Sequence, residues 1–197
     1  LRRFGETALT MTEDPEQPPR LVTERMRLEP TPQALDLIGP YLDQARLLGA
    51  RTAQLHAVLA SAPAGSPLAP EPVTPMYRRS MYQSMRGAAK RTFEVLRRLE
   101  PTHPELTSVI QLEDEALARL HRLLDVSLDD MRIRCHGDYH LGQVLWTGRD
   151  MRIVDFEGEP LRTVGERRIK RTALTDVASR VRSFDYAAAT AARLVPK

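Results

Sequence analysis

Two short polar runs hold most of the residues in this chain that could do chemistry: His136-Gly137-Asp138-Tyr139-His140-Leu141-Gly142-Gln143 and Asp155-Phe156-Glu157-Gly158. Moving a phosphoryl group from a nucleotide to a hydroxyl asks little covalent chemistry of a protein. It asks for a carboxylate beside the attacking hydroxyl and for hard oxygen ligands that hold Mg²⁺ against the phosphates. Asp138 can orient a hydroxyl and accept its proton. Gln143, five residues on, offers a neutral amide oxygen, and Asp155 offers a charged one.

Each of these residues also has a plainer use. Asp138 could cap a turn, and Gln143 could satisfy loop backbone. Asp155 ends an apolar run, where an unengaged carboxylate costs desolvation. His136 and His140 could join Asp138 around zinc, or could brace the loop by hydrogen bonds. The preference of Mg²⁺ for oxygen over imidazole favours bracing. Glu157 suits a metal- or substrate-facing role and a solvated surface equally. Asp176, near the start of a helical pattern, could bond backbone amides of the 136–143 loop or simply sit well at a helix N-terminus. Asp138-Tyr139-His140 also spells the D-x-H of metallophosphoesterases, but the further Asn- and His-bearing motifs of that chemistry are not evident. The basic cluster Arg162, Arg167, Arg168, Lys170 and Arg171 could meet a phosphate or a sugar. Such runs are more often solvated or paired with nearby acids.

Positioning these groups requires elements around them. Val144-Leu145-Trp146 and Met151 to Phe156 are short apolar runs separated by the turn-forming Thr147-Gly148-Arg149-Asp150. They predict a β-hairpin, whose two ends lie close together. That hairpin would bring Asp138 and Gln143 at its entrance near Asp155 at its exit. Upstream, three helical stretches are expected. Tyr41 to Ala60 carries a stripe of Leu42, Ala45, Leu48, Thr52, Leu55 and Leu59. Met76 to Leu99 is basic and amphipathic, with Tyr77, Met81, Met85, Phe93 and Leu96 as candidate core. Glu105 to Val126 follows after Pro101 and Pro104. A last helix is expected from about Thr175, as N-cap, to about Leu194. Residues 1–40 read as an irregular, proline-broken segment, and 41–197 as one helical lobe. The fold class expected is therefore mainly α (α+β), with one small hairpin at the site.

The paired motifs carry a resemblance. Asp138 and Gln143 have the Asp-to-amide spacing of the protein-kinase pattern H-R-D-x-x-x-x-N, and Asp155 stands where D-F-G follows it. Here Gly137, Gln143 and Glu157 replace the Arg, Asn and Gly of those patterns. His-Gly-Asp-x-His with a downstream Asp-Phe resembles phosphotransferases of the aminoglycoside and choline kinase type. The longer runs Arg132 to Leu145, Val154 to Pro160, Glu166 to Arg171 and Arg182 to Ala188 are similar to bacterial maltokinases. Ile38 to Leu42, Ala45 to Gly49, Gln54 to His56 and Ser80 to Arg86 look most like the maltokinase domain fused to trehalose synthase.

That resemblance implies a kinase-like C-terminal lobe that converts maltose and ATP, with Mg²⁺, to maltose 1-phosphate and ADP. It implies Asp138 as base and Gln143 and Asp155 as metal ligands. It also implies a fused or associated trehalose synthase domain as a possible partner. Two stretches depart from the expected pattern, Arg162-Thr163-Val164 and Thr172 to Arg180, so sugar contacts there are expected to differ. Residues 1–40 hold no lysine and no glycine-rich loop, and the first lysine is Lys90. The N-terminal lobe that would grip ATP is thus expected upstream of Leu1, with this chain a piece of a longer polypeptide.

Composition narrows the alternatives. The 197 residues carry 29 cations against 26 anions and 5% aromatics. Near-balanced charge with few aromatics gives no stacking platform for nucleic acid, so none is expected as partner. Cys135 is the single cysteine and cannot form an internal disulfide; it reads as a small buried residue. No apolar run approaches a membrane span of ~20 residues, and a bacterial cytoplasmic location is the expectation.

Overall fold

The computed structural model describes residues 29–126 and 129–194. The expectation of an irregular segment falls, for residues 1–28, outside the described residues. The rest is mainly helical with short antiparallel strands, as the patterning predicts. Among the described residues no helix is long and apolar enough to cross a membrane. The chain divides into two compact units, one of residues 1–69 and 133–197, the other of residues 70–132.

The first unit opens with α1, Pro32–Ala60. Thr31 caps it by accepting the Ala34 N–H at 3.2 Å, and Pro32 sits where a missing N–H costs nothing. Here the structure differs from the sequence pattern, which starts this helix at Tyr41. Pro40 does not end the helix but lies inside it, and Ile38 takes up the distortion with φ −128° and ψ 15°. A proline ring collides with the carbonyl four residues back, so the helix bends rather than stops. The predicted stripe holds: Leu48 and Thr52 are buried, and Leu42, Ala45, Leu55 and Leu59 are half-buried.

Further along this unit, β3 (Val144–Trp146) and β4 (Met151–Ile153) form the expected hairpin. Its register pairs Val144 with Ile153, Leu145 with Arg152 and Trp146 with Met151. Thr147 N–H closes the turn on the Asp150 carbonyl at 2.9 Å, and Gly148 takes φ +91°, which glycine reaches without strain. Arg51 of α1 grips the turn through Asp150 at 2.8 and 3.1 Å. A short helix, α5 (Val164–Arg167), is held by a capping box between Thr163 and Glu166. A short strand, β5 (Arg171–Thr172), leads into α6, Leu174–Leu194. That helix begins one residue before Thr175, the expected cap; Thr172 Oγ1 accepts the Leu174 N–H at 3.4 Å instead. Tyr41 and Phe184 meet edge to face at 6.2 Å, joining α1 to α6.

In the second unit, β1 (Glu71–Pro72) pairs antiparallel with β2 (Met131–Ile133). Arg132 reinforces the pairing through Glu71 at 2.6 Å and lies over the Tyr77 ring at 4.6 Å. Thr74 caps α2, Pro75–Leu99, whose buried residue is Phe93. Met85, an expected core position, is 43% exposed. The helix expected over 105–126 is broken into α3 (Thr107–Ile110) and α4 (Glu113–His121), flanked by 3-10 turns. Leu112 interrupts it at φ −84°, ψ 0°. Glu113, Asp114 and Glu115 then crowd the first turn of α4, where negative charge favours a fresh helix start.

Candidate active site

The 136–143 loop follows β2 and is tied down before it reaches the hairpin. Asp176, on the first turn of α6, is fully buried. Its Oδ2 accepts the His136 N–H at 2.9 Å and its Oδ1 accepts the Gly137 N–H at 3.0 Å. His56 of α1 adds its Nε2 to Oδ2 at 3.0 Å. Burial works to raise the Asp176 pKa, but the hydrogen bonds from His56 and from the Gly137 and His136 amides outweigh it and hold the carboxyl below its ordinary value.

His136 is equally enclosed, with no exposed surface. Its Nε2 donates to the Val154 carbonyl at 2.9 Å, and its Nδ1 faces the Asp138 N–H at 3.4 Å. The ring lies between Tyr139 at 5.1 Å and Phe156 at 5.0 Å. Both ring nitrogens thus face backbone groups of the protein. Tyr139 is 1% exposed. Its hydroxyl meets Thr52 Oγ1 at 2.7 Å, and the Arg180 guanidinium lies 3.6 Å from its ring centre. Thr52 Oγ1 in turn donates to the Leu48 carbonyl at 2.8 Å. Ser183 of α6 accepts the Leu141 N–H at 2.9 Å. Cys135 is buried as expected; desolvation, with the Asp176 charge beside it, pushes its thiol up to about 12, which makes it inert near neutrality.

The anchored loop and the hairpin exit present four polar side chains together. Gln143 Nε2 lies 2.8 Å from Asp155 Oδ2. The ladder continues past β3 and β4 through Val154 N–H to the Gln143 carbonyl at 3.0 Å, and this brings the two residues level. His140 stands between the halves of the group. Its Nε2 is 3.3 Å from the Gln143 amide nitrogen and 3.8 Å from Asp138 Oδ2. Asp138 is half-buried and Asp155 exposed. Asp155 has φ +64°, and it is the sole non-glycine residue with positive φ among the described residues. Aspartate tolerates that region better than most, at a cost of ~1–3 kcal/mol that structures tend to retain at functional positions. Gly137, at φ +87°, lets the loop run against the turn after Asp155; a Cβ there would come within 3.4 Å of Gly158 Cα. Glu157 is exposed and makes no polar contact with the described residues, so it is not drawn into the group.

The donor set fits a hard divalent cation. Asp155 supplies a carboxylate and Gln143 a carboxamide whose oxygen and nitrogen are interchangeable by rotation. Mg²⁺ is commonly held by one or two such groups, the rest of its shell being water and phosphate. Among the described residues no cluster of three or more His, Cys, Asp or Glu side chains forms a cage for a metal.

Beside the loop lies an open depression lined by Gly137, Gly158, Glu159, Arg162, Glu166 and Arg167. Part of the basic cluster is structural. Arg167 donates to the Arg162 and Pro160 carbonyls at 2.9 and 3.1 Å, and Lys170 to the Ala69 carbonyl at 2.7 Å. The sequence reading missed the supports that α1 and α6 supply: Thr52, His56, Arg180 and Ser183. Thr52 and His56 could have been suspected, since they are polar residues one turn apart on the apolar face of a helix.

The model of the phosphotransferase enzyme family matches residues 16–158. The chain belongs to that family. Over 70 residues it is 31% identical to a glucosamine kinase of Streptacidiphilus jiangxiensis, an overlap of 36% of this chain and 16% of that protein. Solved glucosamine kinases share the fold. One, in complex with glucosamine, ADP and inorganic phosphate, superposes with a TM-score of 0.65 at 23% identity, over 76% of this chain and 35% of the other. A second crystal form reaches 0.70 at 22% identity, covering 100% of this chain and 39% of that one. This phosphotransferase chain therefore has the helical lobe of a protein-kinase-like fold, and it spans little more than a third of the length of those kinases.

Proposed function

We propose that this phosphotransferase chain carries the catalytic and acceptor-binding half of a sugar kinase that moves the terminal phosphoryl group of ATP to a sugar hydroxyl. The observation that carries the reading is the meeting of Gln143 and Asp155 at 2.8 Å, with His140 beside Gln143 and 3.8 Å from Asp138. In this reading Asp138 orients the acceptor hydroxyl and takes its proton as the bond to phosphorus forms. Gln143 and Asp155 are the residues that would hold Mg²⁺. When bound, the ion would offset the negative charge of the phosphates. Asp176 and His136 keep the loop backbone fixed, so that Asp138 needs little reorganisation to act.

Two acceptors compete. The runs around both motifs resemble maltokinases and point to maltose, whose anomeric hydroxyl would be the nucleophile. The similar glucosamine kinases point to glucosamine. A fused trehalose synthase domain would accompany the maltose reading. Incubating the full-length protein with ATP, Mg²⁺ and each sugar, and following sugar phosphate by mass, separates them. Asp138→Ala is expected to lower kcat by about 10²–10⁴-fold with the fold intact. An unchanged rate would remove Asp138 from the base role, and no phosphorylation of any sugar would sink the kinase reading.

A further inference from the structure

The polar group at the hairpin exit cannot satisfy all its hydrogen bonds as it stands, and the conflict centres on His140. The Gly142 N–H donates to His140 Nδ1 at 3.0 Å. That nitrogen must therefore offer its lone pair, which in a neutral imidazole leaves the proton on Nε2. The Nε2–H then confronts the amide nitrogen of Gln143 at 3.3 Å, donor against donor. An imidazolium does no better, because its Nδ1–H would face the Gly142 N–H. Asp138 Oδ2, at 3.8 Å, lies beyond hydrogen-bond reach of Nε2.

Turning the Gln143 carboxamide over removes this clash and creates another. The amide oxygen would now accept from His140, but it would also stand where the nitrogen stands, 2.8 Å from Asp155 Oδ2. Two acceptor oxygens at that spacing repel unless a cation lies between them. With a divalent cation bound, every contact closes: Gly142 N–H to Nδ1, Nε2–H to the amide oxygen, and both oxygens to the metal. The imidazole is also held in place by shape. A Cβ on Gly142 would come within 2.8 Å of His140 Cε1 and 2.9 Å of Nδ1, so the ring can fold back there only because residue 142 is glycine.

We infer that His140 is a positioning residue for the cation: its Nε2–H takes the amide oxygen of Gln143 and thereby aims that oxygen at the metal beside Asp155. This rests on the reading of Gln143 and Asp155 as cation ligands. Gln143 is thus a two-way switch. Its nitrogen faces Asp155 without the cation and its oxygen faces Asp155 with it, and His140 favours the second state.

The test uses the full-length protein with Mn²⁺ as probe and ADP present, the free ion being counted by electron paramagnetic resonance. His140→Ala is expected to weaken Mn²⁺ binding about 10-fold, a usual effect of removing a group that orients a metal ligand. His140→Gln, which can supply an N–H near the same point, is expected to recover most of the affinity. Gly142→Ala, which displaces the ring, is expected to behave like His140→Ala. Thermal melts check that each variant is folded. Asp155→Asn separates the two levels of the argument. If it weakens Mn²⁺ binding while His140→Ala does not, the role of His140 is overturned and the cation site stands. If neither weakens binding, the cation reading itself falls. Equal losses in the Ala and Gln variants of His140 would mean the ring acts by packing, and would also overturn the proposal.

Discussion

Asp176 shows how much can depend on one side chain shut away from solvent. It accepts three hydrogen bonds while fully buried. Losing the charge would leave two backbone N–H groups and an imidazole competing for fewer acceptor sites. Asp176→Asn can keep only part of this set, because its amide NH₂ would face one of the donors. It is expected to lower the unfolding free energy by about 3 kcal/mol, read from urea melts. The direction of the pH effect follows from the shift. The folded carboxyl titrates below its ordinary value of 3.8, so its contribution is complete above that value and is lost as pH falls through the folded one. Stability of the native chain should therefore decline on acidification below about pH 4. The acid limb should be shallower in Asp176→Asn, and the same slope in both proteins would refute the assignment. The sequence already placed Asp176 among the candidates as a carboxylate near a helix start. It could not show that His56, 120 residues earlier, completes its shell, since that contact exists only once α1 lies against α6.

At the scale of elements, α1, α6 and the hairpin hold the loop between them, and α1 is where sequence reading fell furthest short. Pro40 reads as a helix break because proline lacks the N–H and crowds the preceding turn. The chain accepts a kink at Ile38 and keeps both halves helical. The face of α1 that results delivers Thr52 to Tyr139 and Arg51 to the hairpin turn. The Thr52–Tyr139 pair gives a sharp test. Thr52→Val keeps the shape but strands the buried Tyr139 hydroxyl, and it is expected to cost about 1–3 kcal/mol. Adding Tyr139→Phe removes the stranded group, so the double variant should be more stable than the sum of the single effects predicts. Strict additivity in denaturant melts would show that the 2.7 Å contact carries no coupling. The hairpin, by contrast, was legible residue by residue. Alternation, a turn with glycine and two short apolar runs leave few other structures open to 144–153.

For the whole molecule, coverage sets the expectation about activity. The chain spans 35% to 39% of the solved glucosamine kinases it resembles, and residues 1–40 contain neither lysine nor a glycine-rich loop. On the proposed sugar-kinase reading, the 197-residue chain alone should turn over ATP negligibly, while a chain that adds a nucleotide-gripping lobe should phosphorylate a sugar. A coupled ADP-release assay on both decides this, and robust turnover by the short chain would show that its own residues grip the nucleotide.

What the sequence determined by itself was local. Helix and strand periods, the hairpin turn and the candidacy of Asp138, Gln143 and Asp155 are written in residue types and short spacings, because backbone preferences and side-chain chemistry act over a few residues. The tertiary structure decided which groups support them. Packing of α1 and α6 around the loop selects Thr52, His56, Arg180 and Ser183 from many polar residues that no spacing rule distinguishes. It also set the left-handed backbone at Asp155 and folded His140 over Gly142, so that an imidazole lies beside Gln143. Burial and close approach come from chain segments that are distant in sequence, and only the folded molecule brings those segments together.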